Sequence, residues 1–312
     1  MKFLKGLALA ILGFLLSLSL CAFGFALMLN QTILNPDFAV SQVDRLDIPS
    51  LAGEFISKQI SSEQIPQEIE PIMPIIAEAI DNTIADLEPW IKEQVSTGIY
   101  SFYDYLEGRS ESLSLVISLE PVKESFRENL REAFFQSPLP ELQELSPDEK
   151  ERVLAEIYAY AEIYAYAGLD GQVPATFEFD EASLEPEVMA QLEQAKQIVG
   201  YIHLTYNTLI GLILLLILGI VLLNREVRGS TRQIGITLLI CGIIGYVGAL
   251  VAKNVAGTQL TQLDMPVYLQ TWMPQLIADT LAPLEMYGIG LLAAGVVLLV
   301  VSFVYKRRQT EF

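Results

Sequence analysis

Four long apolar runs limit what this chain can fold into. They cover residues 6–29, 198–223, 234–252 and 286–305, and none of them contains Asp, Glu, Lys or Arg. A helix rises about 1.5 Å per residue, so about 20 apolar residues cross a hydrocarbon core about 30 Å thick. Because each run is close to that length or longer, the sequence predicts four transmembrane helices.

The stretch between the first two runs predicts the rest of the fold class. Residues 30–197 are enough for one domain with its own hydrophobic core, and their apolar residues recur mostly at helical spacing. The predicted fold class is a mainly α membrane protein, with four transmembrane helices and a mostly helical, minor β extracytoplasmic domain inserted between spans 1 and 2.

The first run also has features of a secretory signal, because Lys2 and Lys5 precede it. It is, however, longer than the roughly 7–15 residues of a signal core, and only a weak small-x-small site lies near Ala22 and Gly24. A leucine directly before Cys21 is also unfavourable for lipoprotein processing. We therefore predict an uncleaved anchor.

Basic residues near the spans predict which side faces the cytoplasm. They are Lys2, Lys5, Arg225, Arg228, Arg232, Lys306, Arg307 and Arg308. Both termini are therefore predicted to be cytoplasmic in a multi-pass protein of the plasma membrane. The predicted divisions are a cytoplasmic N-terminus (1–5), transmembrane helix 1 (6–29), an acidic extracytoplasmic domain (30–197), transmembrane helix 2 (198–223), a basic cytoplasmic loop (224–233), transmembrane helix 3 (234–252), an amphipathic extracytoplasmic loop (253–285), transmembrane helix 4 (286–305) and a basic cytoplasmic tail (306–312).

The net charge of −19 is divided unevenly along the chain. The predicted cytoplasmic segments hold those eight basic residues against Glu226 and Glu311, a net +6, so the rest of the chain carries −25. Nucleic acid and anionic headgroups need Lys and Arg to neutralise their phosphates, so nucleic acid is excluded as a partner. The predicted partner is membrane lipid, with other envelope proteins or a second copy of the chain as further candidates.

Small residues in the spans predict where helices approach one another, because membrane helices associate through close packing. In span 1 they lie within about an 80° arc, and this small-residue face is the predicted surface for self-association: Gly6, Ala10, Gly13, Ser17, Cys21 and Gly24. Spans 3 and 4 offer Gly242, Gly245, Gly248, Ala249, Gly288, Gly290, Ala294 and Gly295. The two cysteines, Cys21 and Cys241, are predicted to differ in depth by roughly 12 Å, too far for a disulfide.

Periodicity predicts four elements in the domain between spans 1 and 2. They are a helix over 83–107, a strand over 113–119, a helix starting at Glu120-Pro121, and a second strand over 176–180. The two strands can pair in a small sheet, although the sequence leaves that pairing open. The predicted apolar faces are Ile84, Leu87, Ile91, Val95, Ile99, Phe102 and Leu106; Leu113, Leu115, Ile117 and Leu119; Val122, Phe126, Leu130, Ala133 and Phe134; and Phe177 with Phe179.

A perfect tandem repeat, EIYAYAEIYAYA, occupies residues 156–167. A capping box starting at Ser146 and the stop at Gly168 predict one helix over 147–167. Six residues advance a helix by about 600°, so the two copies place their tyrosines on different faces. We therefore predict a tolerated duplication, and a tyrosine-rich contact surface is the alternative.

Two further segments are predicted to meet the membrane. From Pro186 a helical pattern continues without a breaker into span 2. The 253–285 loop is apolar and carries Tyr268 and Trp272, which are typical of a membrane interface. Lys253 and Glu285 at the ends of spans 3 and 4 are expected to pair.

Residues that carry chemistry are few. The single histidine, His203, excludes HExxH zinc sites, and no nucleophile-elbow, Walker A or dinucleotide motif has a suitable context. His203 and Asn207 predict an interhelical or headgroup hydrogen bond, with a ligand role as the alternative. The acidic stretch 178–187 lacks the spacing and glycine of a calcium loop, and Asn30-Gln31-Thr32 matches a glycosylation acceptor beside the membrane; ordinary solvated surface is predicted for both. We predict no catalytic, cofactor-binding or metal residues, no cofactor and no enzymatic activity.

Three functions fit these observations. The leading hypothesis is a non-enzymatic membrane protein whose extracytoplasmic domain binds or scaffolds something at the cell surface, as a subunit of an envelope complex. The second is a channel or carrier for an uncharged or lipidic solute; the absence of charged residues in the spans argues against proton pumps and many ion-coupled transporters. The third is a signal-transmitting protein that needs a cytoplasmic partner.

Overall fold

The computed structural model describes residues 2–51, 72–137, 145–164, 175–224, 226–260 and 267–309. Its elements are α1 (Lys2–Gln31), α2 (Pro36–Val43), α3 (Met73–Leu106), β1 (Ser114–Ser118), α4 (Glu120–Gln136), α5 (Pro147–Tyr164), β2 (Thr176–Asp180), α6 (Pro186–Asn224), α7 (Val227–Leu260) and α8 (Val267–Gln309), with a short 3-10 helix over Glu181–Ser183. They form two compact units. The first comprises Met1–Gln42, Tyr103–Arg109 and Glu187–Phe312, and the second comprises Val43–Phe102 and Ser110–Pro186.

Four helices are long and apolar enough to cross a membrane. They are Phe3–Gln31, Pro186–Asn224, Val227–Leu260 and Trp272–Val304. The chain is therefore a mainly α membrane protein, and the prediction of four spanning helices is confirmed.

Each spanning helix is longer than the apolar run that predicts it. The helix from Pro186 continues into span 2 as expected. Two predicted loops are mostly helical, however: the 224–233 segment is helical from Val227, and the 253–285 segment is helical over 253–260 and 267–285. An apolar run marks only the part of a helix that fits hydrocarbon, whereas backbone hydrogen bonds continue beyond it. The Trp272 indole in this segment donates to the Gln42 carbonyl at 3.2 Å.

Helix α1 packs against the other three spanning helices. Lys5 Nζ donates to the Asn224 carbonyl at 3.2 Å, and the rings of Phe23 and Tyr206 stack at 5.2 Å, so α1 and α6 run in opposite directions. Gln233 Nε2 donates to the Leu9 carbonyl at 2.5 Å. This bond and a Ser17–Cys241 contact share the same sequence offset, so α1 and α7 run in the same direction.

The bundle interior is filled with aliphatic side chains. Leu16 and Ile220 are fully buried, at 0% exposure. The cluster around them contains Leu20, Leu216, Ile234, Leu238 and Cys241, with Leu9, Leu12, Ile213, Ile217, Leu291 and Leu298 packed at its edge.

Helices α7 and α8 touch through their backbones at two pairs of glycines. A Cβ atom added at Gly242 would lie 2.8 Å from the Gly288 carbonyl oxygen, and one at Gly295 would lie 2.9 Å from the Gly235 carbonyl oxygen. Gly235 and Gly242 are seven residues apart, as are Gly288 and Gly295, so antiparallel helices bring both pairs together at once. The sequence pattern predicts Gly242, Gly288 and Gly295 as contacts. It missed Gly235, and it was wrong for Gly248 and Gly290, where nothing described lies within 4 Å of an added Cβ.

Half of the small-residue face of span 1 contacts other helices, and the other half is exposed. Gly13 lies against Gln233, Ser17 against Cys241, and Gly24 against Tyr287. The remaining members, Gly6, Ala10 and Cys21, are exposed. Self-association through this face therefore stays a prediction that rests on the exposed three.

The depth predicted for the cysteines was wrong, although both thiols are free. Ser17 Oγ lies 3.2 Å from Cys241 Sγ, so Ser17 and Cys241 are at the same level of the bundle. Cys21 is four residues further along α1, which is about 6 Å along the helix axis. The ends of the apolar runs do not mark equal depths, because α7 begins at Val227, well before its run.

The last turn of α3 belongs to the first unit. Tyr103 donates its hydroxyl to the Ile33 carbonyl at 2.7 Å, and Lys196 Nζ lies 4.4 Å from the centre of the Tyr105 ring. Gly108 ends the helix with φ of 74°, a conformation that favours glycine. The Gly108 amide donates to the Tyr105 carbonyl, and the Arg109 amide donates to the Asp104 carbonyl. These two hydrogen bonds form a Schellman motif.

The second unit has its own core between α3, α4 and α5. Its buried residues are Ile75, Ala79, Leu130, Ala133, Phe134, Leu154 and Ile157. The buried Asn129 amide joins α4 to α3 by donating to Asp86 Oδ2 at 2.8 Å and to the Thr83 hydroxyl at 3.4 Å. The predicted start of α4 at Glu120-Pro121 and its inward residues Leu130, Ala133 and Phe134 are confirmed.

Helix α5 carries the tandem repeat. The predicted capping box is present: Glu149 accepts from the Ser146 amide at 2.9 Å and from its hydroxyl at 2.7 Å. These hydrogen bonds from Ser146 hold the pKa of the Glu149 carboxyl below its usual range. Ile157 is buried and the Tyr158 hydroxyl donates to the Arg127 carbonyl. The rest of the predicted helix, 165–167, and its stop at Gly168 lie outside the described residues.

The glycine pairs generate a stability prediction. Gly242→Ala places a methyl group against the α8 backbone, which cannot yield locally, so the variant should be destabilised by roughly 1–3 kcal/mol, as overpacked cores are. Thermal unfolding in lipid nanodiscs measures this. Gly248→Ala on the same helix is the control: nothing lies within 4 Å of its added Cβ, and its stability should rise by about 0.5–1 kcal/mol. Equal effects at both positions would contradict the backbone contact.

The capping box generates a pH prediction. Because its pKa is lowered on folding, Glu149 stabilises the folded state above the usual carboxyl pKa, and this contribution is lost as the pH falls through the lowered value. Glu149→Ala should therefore lower the melting temperature at pH 7, and the difference from the parent should shrink below about pH 4. Asp148→Ala, in the same turn but outside the box, is the control. A difference that does not change with pH would refute the assignment.

Candidate ligand-binding groove

A two-stranded sheet and helix α3 form a site in the second unit. Strands β1 and β2 pair antiparallel, with Leu115 opposite Phe179 and Ile117 opposite Phe177. Directly opposite residues point to the same face of a sheet, so this face carries four large apolar side chains. The strand pairing that the sequence left open is thus present, and it unites the two predicted apolar faces.

The apolar groove lies between this sheet face and one side of α3. It encloses a volume of about 310 Å³ and is lined by ten residues: Trp90, Ile91, Gln94, Val95, Gly98, Leu115, Ile117, Leu119, Val122 and Phe177. None of these described lining residues has a charged side chain. Among them, the Gln94 amide and the Trp90 indole are the two side-chain hydrogen-bonding groups.

Gly98 allows the close approach of α3 and β1. A Cβ atom at this position would lie 3.2 Å from Leu115 Cδ2, which is tighter than ordinary van der Waals contact. The helix and the strand therefore meet at this point, and the groove extends along them towards Trp90.

The groove is open because the two-stranded sheet is too narrow to cover the apolar side of α3. Phe177 remains 51% exposed and Val95 39% exposed. A two-stranded sheet contributes few side chains, so it cannot close over α3. Exposed large apolar groups gathered at one concave site are typical of a binding surface.

The charged residues that neighbour the lining residues in the sequence are lysines paired with glutamates, or are acidic. Lys92 bonds to Glu88 at 2.8 Å, and Lys123 bonds to Glu120 at 3.4 Å. Glu178, next to Phe177 on β2, is exposed. The basic groups near the groove are thus matched by carboxylates.

Residues that the sequence singled out for other chemistry lie outside the groove. His203 is half-buried and Asn207 exposed on α6, and Lys253 pairs with Glu285 at 2.7 Å as expected. Thr32 of the glycosylation match is buried, and its hydroxyl donates to the Met28 carbonyl at 2.7 Å. Solvated surface was therefore the wrong prediction for Thr32, whereas Gln31 is exposed.

The acidic stretch 178–187 serves local structure. Asp180 and Ser183 form a capping box for the 3-10 helix, and Glu181 Oε1 accepts from the Leu113 amide at 3.1 Å. Among the described residues, no group of three or more His, Cys, Asp or Glu side chains is placed to hold a metal ion.

Sequence reasoning found most of the groove residues but not the groove. Ile91, Val95, Leu115, Ile117 and Phe177 are all members of predicted apolar faces. Such faces predict a closed core, and periodicity cannot show that two faces meet without filling the space between them. Trp90 and Gly98 were missed, and a glycine in a helical pattern was the available sign of a close approach.

Comparisons of the chain with protein-family models, with curated proteins and with solved structures found no match. The function is therefore inferred from the groove and from the membrane helices.

The strand pairing generates a prediction that checks the groove wall. Val116 and Glu178 are directly opposite on the face away from the groove. Opposite Cα atoms lie about 4.5–5.5 Å apart, within disulfide range. In a Cys21→Ser, Cys241→Ser background, Val116→Cys with Glu178→Cys should therefore oxidise to an intramolecular disulfide, detected by peptide mass mapping. Val116→Cys with Thr176→Cys, displaced by two residues, should not; equal yields would refute the pairing.

Proposed function

We propose that this chain is a non-enzymatic integral membrane protein whose domain between the first and second spans lies outside the cytoplasm and binds an apolar component of the cell envelope. Both termini and the 224–233 segment are cytoplasmic in this proposal. The four spanning helices anchor the domain, which serves as a binding or scaffolding module.

The apolar groove carries this proposal. Its volume of about 310 Å³ is at the lower end of the range of small-molecule sites, roughly 300–1,000 Å³. The described residues that line it include no carboxylate, imidazole, thiol or hydroxyl group, so they offer a binding surface and no acid, base or nucleophile. Binding without catalysis is the activity that these side chains support.

The packing of the membrane helices favours an anchor over a solute pathway. The centre of the bundle is occupied by Leu16 and Ile220, both at 0% exposure. Helices α7 and α8 are in backbone contact at Gly242 and Gly288, so no channel passes between them there. This packing supports the binding protein over the channel or carrier.

The orientation is supported by the basic residues that flank the spans. In a cysteine-free background, Ser112→Cys and Glu226→Cys each place one thiol at an exposed site, the first in the domain and the second in the basic loop. A membrane-impermeant maleimide added to intact spheroplasts should label Ser112→Cys alone. Labelling of Glu226→Cys alone would invert the orientation and reject an extracytoplasmic domain.

Binding is tested with the uncharged apolar fluorophore N-phenyl-1-naphthylamine. The full chain carries two tryptophans, so a Trp272→Phe variant leaves Trp90 as the only donor for energy transfer to the fluorophore. In nanodiscs, Phe177→Ser should reduce transfer from Trp90, because it removes a groove side chain. Val116→Ser is the matched control, since Val116 is 57% exposed on the opposite sheet face. Equal transfer in all three proteins would overturn binding in the groove.

A further inference from the structure

We propose that the apolar groove holds the acyl chain of a neutral or zwitterionic membrane lipid. This inference rests on the proposed function and names the ligand class of the same site. It identifies the lipid by chemistry: a long alkyl chain inside the groove, and a headgroup without net negative charge outside it.

The hydrogen-bonding capacity of the lining selects an alkyl chain. A peptide backbone presents one donor and one acceptor per residue, and a sugar presents several hydroxyls, each costly to bury without a partner. Only Gln94 and Trp90 among the ten lining residues have a side-chain group that can pair with them. An alkyl chain needs no such partner.

The dimensions of the groove also fit a chain. Its lining residues on α3 extend from Trp90 to Gly98, which is about 12 Å of helix. Those from Leu115 to Leu119 extend over about 13 Å of strand. A groove with walls of this length accommodates an extended linear hydrocarbon.

Charge around the groove selects the headgroup. Lys92 and Lys123 are engaged by Glu88 and Glu120, while the segments outside the predicted cytoplasmic parts sum to −25. A headgroup with net negative charge would be repelled by segments that carry this excess of carboxylates. Neutral lipids and zwitterionic lipids such as phosphatidylcholine avoid that repulsion.

The spanning helices tether the domain to a bilayer, which contains the proposed ligand. The domain is linked at one end to α1 and at the other to α6, both of which are long and apolar enough to span. A domain tethered in this way meets lipid at a high effective concentration. Lipid is therefore the alkyl compound that the groove encounters most often.

The test uses the full chain in phosphatidylcholine nanodiscs that contain a fraction of lipid with a diazirine on its acyl chain. After irradiation, labelled peptides are mapped by mass spectrometry. Label should appear on the four spanning helices and also on peptides that contain 90–98 and 115–122. The spanning helices are an internal positive control for incorporation.

Gly98→Leu is the principal variant. Its side chain would occupy the groove beside Leu115, so groove labelling should fall at least fivefold while span labelling is unchanged. Val116→Leu on the opposite sheet face is the matched control. If Gly98→Leu does not fold, Phe177→Ser replaces it, since it removes atoms from an exposed side chain and adds none to the core.

A chain-length series gives a second readout. Lysophosphatidylcholines of increasing length should displace N-phenyl-1-naphthylamine from Trp90, with affinity rising about fourfold per methylene, the equivalent of about 0.8 kcal/mol. The rise should stop when the chain exceeds the groove. An affinity that does not depend on chain length would overturn an alkyl ligand.

The outcomes separate this inference from the proposed function. Labelled spans with an unlabelled groove, in a protein that still shows energy transfer to the fluorophore, would reject lipid and keep an apolar binding site. Loss of transfer as the protein-to-lipid ratio rises would assign the groove to a second copy of the chain and also reject lipid. Absence of both transfer and groove label would reject the proposed function itself.

Discussion

Hydrocarbon offers the backbone no hydrogen-bonding partner, and the first unit follows from that constraint. Each apolar run must be helical, but apolar burial gives a helix little preference for another helix over a lipid tail. Small residues therefore decide which helices pair. The Gly242–Gly288 and Gly235–Gly295 contacts join α7 to α8. Polar bonds to backbone carbonyls, from Gln233 and Tyr287, then attach both helices to α1.

In the second unit, unlike in the first, apolar burial itself stabilises the packing. Here water drives apolar side chains together, and the core around Leu130, Phe134 and Leu154 is closed by three helices. The sheet has too few strands to cover α3 in the same way further along the helix, from Trp90 to Gly98. The apolar groove is what remains, so the binding surface and the limit on this domain's packing have one cause.

Features with a strong local pattern were predictable from the sequence. Period-two alternation gave β1 and β2, and the Ser146–Glu149 box gave the start of α5, because both depend on neighbours only a few residues away. The depth of a residue in the helix bundle and its contacts with other helices were harder to predict from the sequence. The level of Cys241 was misjudged because it depends on how α7 packs beside α1. Gly235 was missed because its importance lies in a residue 60 positions away.

The sequence by itself determined the membrane character, the number of spanning helices and the apolar faces of the domain between the first two, because these follow from length and periodicity. Only the tertiary structure decided which glycines meet, how α1 is aligned with α7, and that the faces of α3 and the sheet leave a groove. Periodicity records the direction in which a side chain points along its own element. Whether two such faces fill the space between them depends on the shapes of side chains distant in the chain, which packing alone brings together.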